Sequence, residues 1–433
     1  MILFFVRRYN DIDHTTPVVY RMFKDGYKDI AVLALNPEME IDKDFRLKFL
    51  RDECNVVVDH VHQFFLPTVI HRFFAKLVCS FGDTNSSYTD LIMNSIKKIF
   101  KMSLGRYHST FLNKFVFSCI FGQKWACNMM KQKKVTLLVF DWHKVRRANV
   151  SSLVEAGKEL NIPILAIPHG VELSAAEIWT TAMAKTGKIY DFGDRGKDYD
   201  KIIIQHEPYK RLVVRGGVLP EKIRVLGVAR FCSEWESILF NIIPPAEDYR
   251  KVCRGDKLRV VFMDHSSKYL LNVDETLNTV ERLKKLDFVD LVIKPSTSSE
   301  KTISSMKLYE MAKVDPETSS VELIRWADVV MGNTSSILLE PLLMGKVFIY
   351  LKYLHSVRMF WDVMNACWVV NNYEELENAL KITHRNPSYR PYSQENVDKF
   401  ITEIVYGGVR NRDVLGGYKD FIISLSEEQK QKY

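Results

Sequence analysis

Short β-branched and aliphatic runs alternate with helix-length amphipathic stretches along the whole 433-residue chain, and this alternation limits its fold more than any other feature. In the first half the runs fall at residues 2–6, 30–35, 56–59, 135–140, 164–168, 202–205 and 223–226. In the second half they fall at 258–263, 289–294, 327–331, 346–351 and 368–370. Runs this short and continuous, each followed by enough chain for a crossover helix, predict strands buried on both faces of parallel sheets. The Pro-Pro pair in NIIPPAEDY (241–249) suits neither a helix interior nor a central strand, so it marks the join between the two halves. The expected architecture is α/β, with two Rossmann-like doubly wound parallel-sheet domains facing a cleft. Residues 1–240 are expected to form the first domain, 241–250 the linker, 251–405 the second domain and 406–433 a helical tail. Ligands of such sheets bind in the crevice beyond the carboxyl ends of the strands, which here is the cleft.

One stretch breaks the pattern. Residues 64–130 are rich in Phe and Lys/Arg and read as helices inserted in the first domain. Core aromatics with solvated lysines are the plainer reading, and a helix lying against the inner membrane is the alternative. The tail is expected either to pack back across the domains or to be the cut edge of a longer multidomain transferase. No run approaches 18 apolar residues, and the start lacks the basic n-region of a signal peptide, so a cytoplasmic protein is expected, with its cytoplasmic membrane face as the alternative site. The seven cysteines (54, 79, 119, 127, 232, 253 and 367) are odd in number and scattered without a CxxC pair, which fits a reducing compartment and neither a disulfide framework nor a zinc site. A net charge of +8 over this length is mild and favours anionic partners such as phosphates. The excess is diffuse and lacks a nucleic-acid-binding signature, so nucleic acid is not an expected partner.

The strongest chemical signal is VMGNTSSILLEP (329–341 spans it), where a strand ends in Gly332 and Asn333, Thr334, Ser335 and Ser336 lead into a helix carrying Glu340. Small hydroxyl residues at a helix N-terminus offer N–H and O–H donors to a phosphate, and Glu340 is placed to accept from a ribose diol. Plain N-capping would need only one such residue. Lys294, Pro295 and Ser296 end another strand with a cation and a hydroxyl suited to phosphate. Asp264, His265, Ser266, Ser267 and Lys268 end the first strand of the second half, with a histidine that titrates near neutrality, although a simple turn uses the same letters. In the first half, Asp11, Asp13 and His14 follow the opening strand, while Asp141 with His143, and His169, end later ones. These strand ends point to one rim of the cleft. The chain lacks the GxGxxG, GxxxxGK[ST], HExxH and GxSxG patterns, which weakens the NAD, P-loop, zincin and hydrolase readings. No strand–loop D-x-D set is assigned to a nucleotide-sugar metal, so a mechanism without metal or cofactor is expected.

The paired strand-end motifs, IPHG, KPS and GNTSS followed by Glu340, resemble GT-B glycosyltransferases, and the last two are similar to the HP and SS motifs of transferases using CMP-activated sugars. Lys294 stands where those enzymes have the HP histidine. FFVRRYNDIDHTTP and LGVARFCSEW resemble more specifically the retaining β-Kdo transferases of bacterial O-antigen and capsule assembly. That resemblance implies CMP-β-Kdo as donor, a surface glycan as acceptor and double displacement through a carboxylate nucleophile. The carboxylate is expected where this chain has Cys232, which implies impaired turnover, with Glu234 the nearest other carboxylate. It implies Asp264, His265, Asp13, His14 and His169 near the reacting centre. Lys294, Ser296, the Asn333–Ser336 run, Glu340, Ser266, Lys268 and Arg230 would hold the nucleotide sugar, with Asp141, His143 and Glu234 on the acceptor side. The alternatives on this fold are a CDP-glycerol-type phosphotransferase, a UDP-sugar 2-epimerase, and a non-catalytic nucleotide- or glycan-binding module.

Overall fold

A computed structural model of the chain describes residues 1–36, 39–64, 122–143, 148–245, 257–265, 269–295, 313–315 and 317–431. The first seven strands are β1 (Ile2–Val6), β2 (Ile30–Ala34), β3 (Val57–His60), β4 (Leu137–Asp141), β5 (Ile164–Ile167), β6 (Lys201–Ile204) and β7 (Ile223–Val225). They form one parallel sheet in the order β3-β2-β1-β4-β5-β6-β7. A second parallel sheet runs β10-β9-β8-β11-β12-β13, built from β8 (Leu258–Met263), β9 (Val289–Lys294), β10 (Lys313–Val314), β11 (Val329–Gly332), β12 (Val347–Leu351) and β13 (Trp368–Val370). Each of the twelve apolar runs contains a strand. Only the two-residue β10 was not foreseen.

Why these segments become strands is visible in their burial. Along β1, Ile2, Phe4 and Val6 enter the core on one face, while Leu3 and Phe5 enter the core on the other. A strand buried on both faces leaves no position for a polar residue, which is why the sequence shows continuous apolar runs. The chain leaves β1 toward one edge and comes back through β4 toward the other, so the winding reverses between β1 and β4. The same reversal lies between β8 and β11 in the second sheet. Such switch points open a crevice at the carboxyl ends of their strands.

The helices that matter for the site are α1 (Tyr9–Lys24), α2 (Phe45–Asp52), α3 (Ser233–Ile242), α4 (Leu339–Leu343) and α5 (Val414–Lys430). Helix α3 runs into the first positions expected for the linker, whose residues 246–250 lie outside the described residues. Of the expected insertion, residues 65–121 also lie outside them, and Gln123–Gln132 is helical. Helix α5 packs against the first sheet, burying Tyr418, Ile422 and Leu425 in its core. The Tyr418 hydroxyl donates to Gly227 O at 3.0 Å, and Ser426 bonds Thr136 at 2.7 Å. No helix among the described residues is long and apolar enough to cross a membrane.

The two halves also meet through the loop after β5. Ser174 forms an antiparallel bridge with Met359, Ala175 donates to Arg358 O at 2.7 Å, and Phe360 donates to Leu173 O at 2.9 Å. Leu173 is buried in the core of the second sheet.

Candidate functional site

The first-sheet switch point gathers three strand ends. Arg7 follows β1, Asp141 closes β4 and His169 lies just past β5. Asp11 enters from the first turn of α1, where its carboxylate accepts the backbone N–H groups of Arg7 (2.8 Å) and Arg8 (3.0 Å). The His169 Nδ1–H points between two carboxylates, Asp11 at 2.5 Å and Asp141 at 3.2 Å. Arg7 donates twice to Asp141, with Nε at 2.8 Å from Oδ1. Burial disfavours the His169 charge, but hydrogen bonds to Asp11 and Asp141 outweigh it and raise the imidazole to about 9. Burial likewise opposes the Asp141 charge, yet His169 and Arg7 hold it well below the usual carboxylate range. His169 is therefore an imidazolium at neutral pH, clamped at Nδ1.

Beside it runs a second charge network. Asp13 receives Arg46 from α2 and, at 2.5 Å, Arg230 from the turn after β7. Against the cost of its partial burial, these two arginines keep Asp13 ionised below its ordinary range. His14, buried with its Nδ1 unpartnered, is pushed down to about 3 by burial and then by Arg230. Burial and the Arg7 charge push His143 down to about 3 as well, and its ring lies 6.0 Å from that of His169. Both are neutral, so of these three histidines only His169 carries a charge.

In the second sheet, β11 must end in glycine. A Cβ at Gly332 would meet Leu338 at 3.0 Å and Met263 O at 3.2 Å, so the chain after the strand lies tight against β8. Asn333 is buried and accepts the Thr334 N–H at 2.8 Å. The helix expected after this run is a 3-10 turn at Ser336–Leu338 followed by the five-residue α4, which carries Glu340. A helix that short contributes little dipole, so binding here relies on individual donors. Two buried groups of this segment lack partners: Thr334 Oγ1 and Glu340 Oε1. Burial raises Glu340 to about 7, with Arg230 the counteracting cation and Glu236 and Asp13 adding to the rise. The same Arg230 has its buried Nε unpartnered. Asp264, buried after β8, is raised to about 6 by burial and accepts the His265 N–H at 2.7 Å. The His265 ring stacks on Tyr269 at 4.5 Å. Lys294, at the end of β9, donates to Thr318 O at 2.5 Å.

No protein-family model and no curated protein matches the sequence. Solved structures do match across the whole length. The UDP-N-acetylglucosamine 2-epimerase of Rickettsia bellii superposes with a TM-score of 0.57 at 10% identity, covering 99% of this chain and 96% of that one. The UDP-GlcNAc 2-epimerase of Neisseria meningitidis, bound to UDP-GlcNAc, gives 0.54 at 12% identity, with 99% of each chain covered. A glycosyltransferase of Rickettsia africae gives 0.51 at 14% identity, covering 100% and 99%. Two parallel-sheet domains of seven and six strands, superposing end to end on these proteins, identify the architecture. The chain has the GT-B fold.

On the GT-B frame, the expected residues sort into three groups. Asp13, His14, Asp141, His143 and His169 gather at the first switch point, Asp264, His265, Asn333, Thr334 and Glu340 lie at the second, and Arg230 is ion-paired with Asp13. Ser296, Ser266 and Lys268 lie outside the described residues. Cys232 and Glu234 depart from expectation. Cys232 is the N-cap residue of α3, with 3% of its surface exposed, packed in the core with Trp235, Val414 and Tyr418. Its thiol donates to Ala229 O at 3.2 Å, and burial pushes it up to about 12. It is a protonated thiol, not a nucleophile as it stands. Glu234 pairs with Arg21 at 2.7 Å and Lys24 at 3.4 Å on the flank of α1, apart from the charged clusters. Among the described residues one triad could ligate a metal, Asp11, Asp141 and His169, with donor atoms within 4.8 Å. Arg7 and the imidazolium proton already occupy those carboxylates. Sequence reasoning missed Arg7, which the RR pair after β1 signalled, and Arg46, which nothing local marks.

Proposed function

We propose that this GT-B protein is an enzyme acting on a nucleotide-activated sugar, and that its reaction is transfer of Kdo from CMP-β-Kdo to a surface-glycan acceptor. One observation carries the nucleotide half of this reading. Thr334 Oγ1, Glu340 Oε1 and Arg230 Nε are buried at the cleft without partners, an acceptor and two donors that cost free energy until a ligand satisfies them. A ribose diol donating to Glu340, and phosphate oxygens accepting from Thr334 and Arg230, meet all three. The resemblance of FFVRRYNDIDHTTP and LGVARFCSEW to retaining β-Kdo transferases supports the sugar and the stereochemistry. With the protonated Cys232 thiol in the place of the nucleophile, turnover is expected to be slow.

A UDP-sugar 2-epimerase is the second reading, and the structural neighbours favour it over Kdo transfer. Two of the three are UDP-GlcNAc 2-epimerases. Carboxyls poised near neutrality, Asp264 at about 6 and Glu340 at about 7, would suit its proton transfers. Calorimetry with CMP, UDP and CDP-glycerol separates these readings, and product analysis completes the test. Tight CMP binding with Kdo transfer to an acceptor supports the first. Preferential UDP binding, with UDP-GlcNAc converted in the absence of acceptor, replaces it with the second.

A further inference from the structure

Between the two halves, beside the strap that joins them, lies a cavity of about 340 Å³ that no residue of the nucleotide cradle lines. Pockets that bury small ligands begin near this size. Its walls come from the loop after β5, from the helix Glu207–Arg215 after β6, and from Phe360 of the second half. Both loops leave carboxyl ends of the first sheet, so the cavity opens on the same edge as His169, three residues before Glu172. The lining is held in place. His206 bonds Glu172 O at 2.7 Å, and the Glu172 carboxylate accepts the Ser174 N–H at 2.9 Å.

The lining has the chemistry of a saccharide site. Tyr209 and Phe360 offer aromatic surface to the C–H face of a sugar ring, and the Glu172 carboxyl offers oxygens to its hydroxyls. The rim carries Arg211 and Arg215. Arg215 is paired with Glu177, whereas Arg211 is exposed and has no ion-pair partner among the described residues. One unspent cation at the mouth of a hydroxyl-binding cavity points to a sugar bearing an anion.

We propose that this cavity is the acceptor subsite, and that it takes a saccharide unit carrying a carboxylate or a phosphate. The proposal rests on the nucleotide-sugar reading for the word acceptor, but the binding it asserts does not. Because the strap between residues 173–175 and 358–360 forms one wall, the subsite is complete only when the two halves are joined.

The test is binding of three probes to the full chain with saturating CMP present: methyl β-glucuronoside, glucose 6-phosphate and neutral methyl β-glucoside, followed by saturation-transfer NMR and calorimetry. The acidic probes should bind more tightly than the neutral one, and the stronger of the two identifies the anion. Arg211→Glu should weaken the acidic probes about tenfold, as loss of one charge-assisted hydrogen bond does, and the neutral one less than about twofold. Ala176→Trp, which fills the cavity, should abolish all three, while both variants keep the parent melting temperature and CMP affinity. No binding, equal binding of acidic and neutral probes, or insensitivity to Arg211→Glu would overturn the proposal. If CMP fails to bind but the acidic probes bind and respond to Arg211→Glu, the nucleotide reading falls and this one stands.

Discussion

Burial and a hydrogen bond to Ala229 O keep the Cys232 thiol protonated, and at the N-cap of α3 a carboxylate would gain the free N–H groups of the first turn against the same burial. Asp is among the strongest N-cap residues, because its oxygen accepts the free N–H groups of the first turn. That cap, worth about 1 kcal/mol, works against the cost of desolvating a carboxylate in this core seat, so Cys232→Asp is expected to leave the protein no more stable than the parent. It should nonetheless raise donor turnover at least about tenfold if a carboxylate attacks there, with a covalent sugar adduct visible by intact-protein mass spectrometry after acid quench; equal turnover by the parent and the variant would remove position 232 from the mechanism. His169 makes a different prediction. Its folded-state pKa of about 9 lies above the ordinary 6.5, so its contribution to stability is complete below about pH 6.5 and is lost as the pH rises through about 9. The melting temperature of the parent should fall across that window, and His169→Gln should remove most of that fall while melting lower at pH 6. A parent curve flat from pH 6 to 9.5 would show that the clamp between Asp11 and Asp141 carries no such linkage. At this scale the sequence was legible where chemistry is local. Asn333, Thr334 and Glu340 sit on one short contiguous segment, whereas Arg46 reaches Asp13 from a separate helix 33 residues on, and no local pattern announces such a contact.

Elements were legible to the degree that burial fixes their pattern. The runs 2–6, 258–263, 289–294 and 368–370 coincide with β1, β8, β9 and β13 because nearly every position of these strands is apolar, Arg259, Asp290 and Lys294 being the exceptions. β10 has two residues at a sheet edge and leaves no periodicity to read. The polar end of α5, SLSEEQKQKY, left open whether the tail packs back across the domains or is a cut edge. Its apolar face carries Tyr418, Ile422 and Leu425 into the first core. That docking depends on a glycine: Gly227 has φ +92°, and a Cβ there would meet Val405 O at 2.5 Å. The close approach leaves Gly227 O for the fully buried Tyr418 hydroxyl. Tyr418→Phe removes that donor without changing the packing volume and strands a buried carbonyl, so chemical denaturation should show a loss of about 1–3 kcal/mol. A loss below about 0.5 kcal/mol would mean that water reaches the carbonyl, and that α5 is held by its apolar face alone.

Across the whole molecule, the two sheets are tied at the strap, and Arg230 of the first half, ion-paired with Asp13, is also the cation whose charge opposes the rise of Glu340 in the second. The fold could be read from the sequence, but this coupling could not, because it joins the end of β7 to the turn after β11, more than a hundred residues later. On the proposed function, nucleotide binding in the second half answers to a residue of the first. Glu340 is raised to about 7 by burial, so below that pH the carboxyl is protonated and a poor acceptor for ribose hydroxyls. CMP affinity should therefore climb as pH rises toward 7 and level off above it. Arg230 is the cation that opposes the rise, while Glu236 and Asp13 reinforce it. Arg230→Ala should then shift the midpoint of that climb to higher pH and lower the affinity at pH 7 by about tenfold, one charge-assisted contact's worth. Glu340→Gln should flatten the pH profile altogether. Calorimetry in two buffers of different ionisation enthalpy would show protons released on binding at pH 6 by the parent and none by Glu340→Gln. If affinity instead falls with rising pH, or if Arg230→Ala leaves the midpoint in place, then Glu340 is not the ribose acceptor and the cleft does not communicate through Arg230.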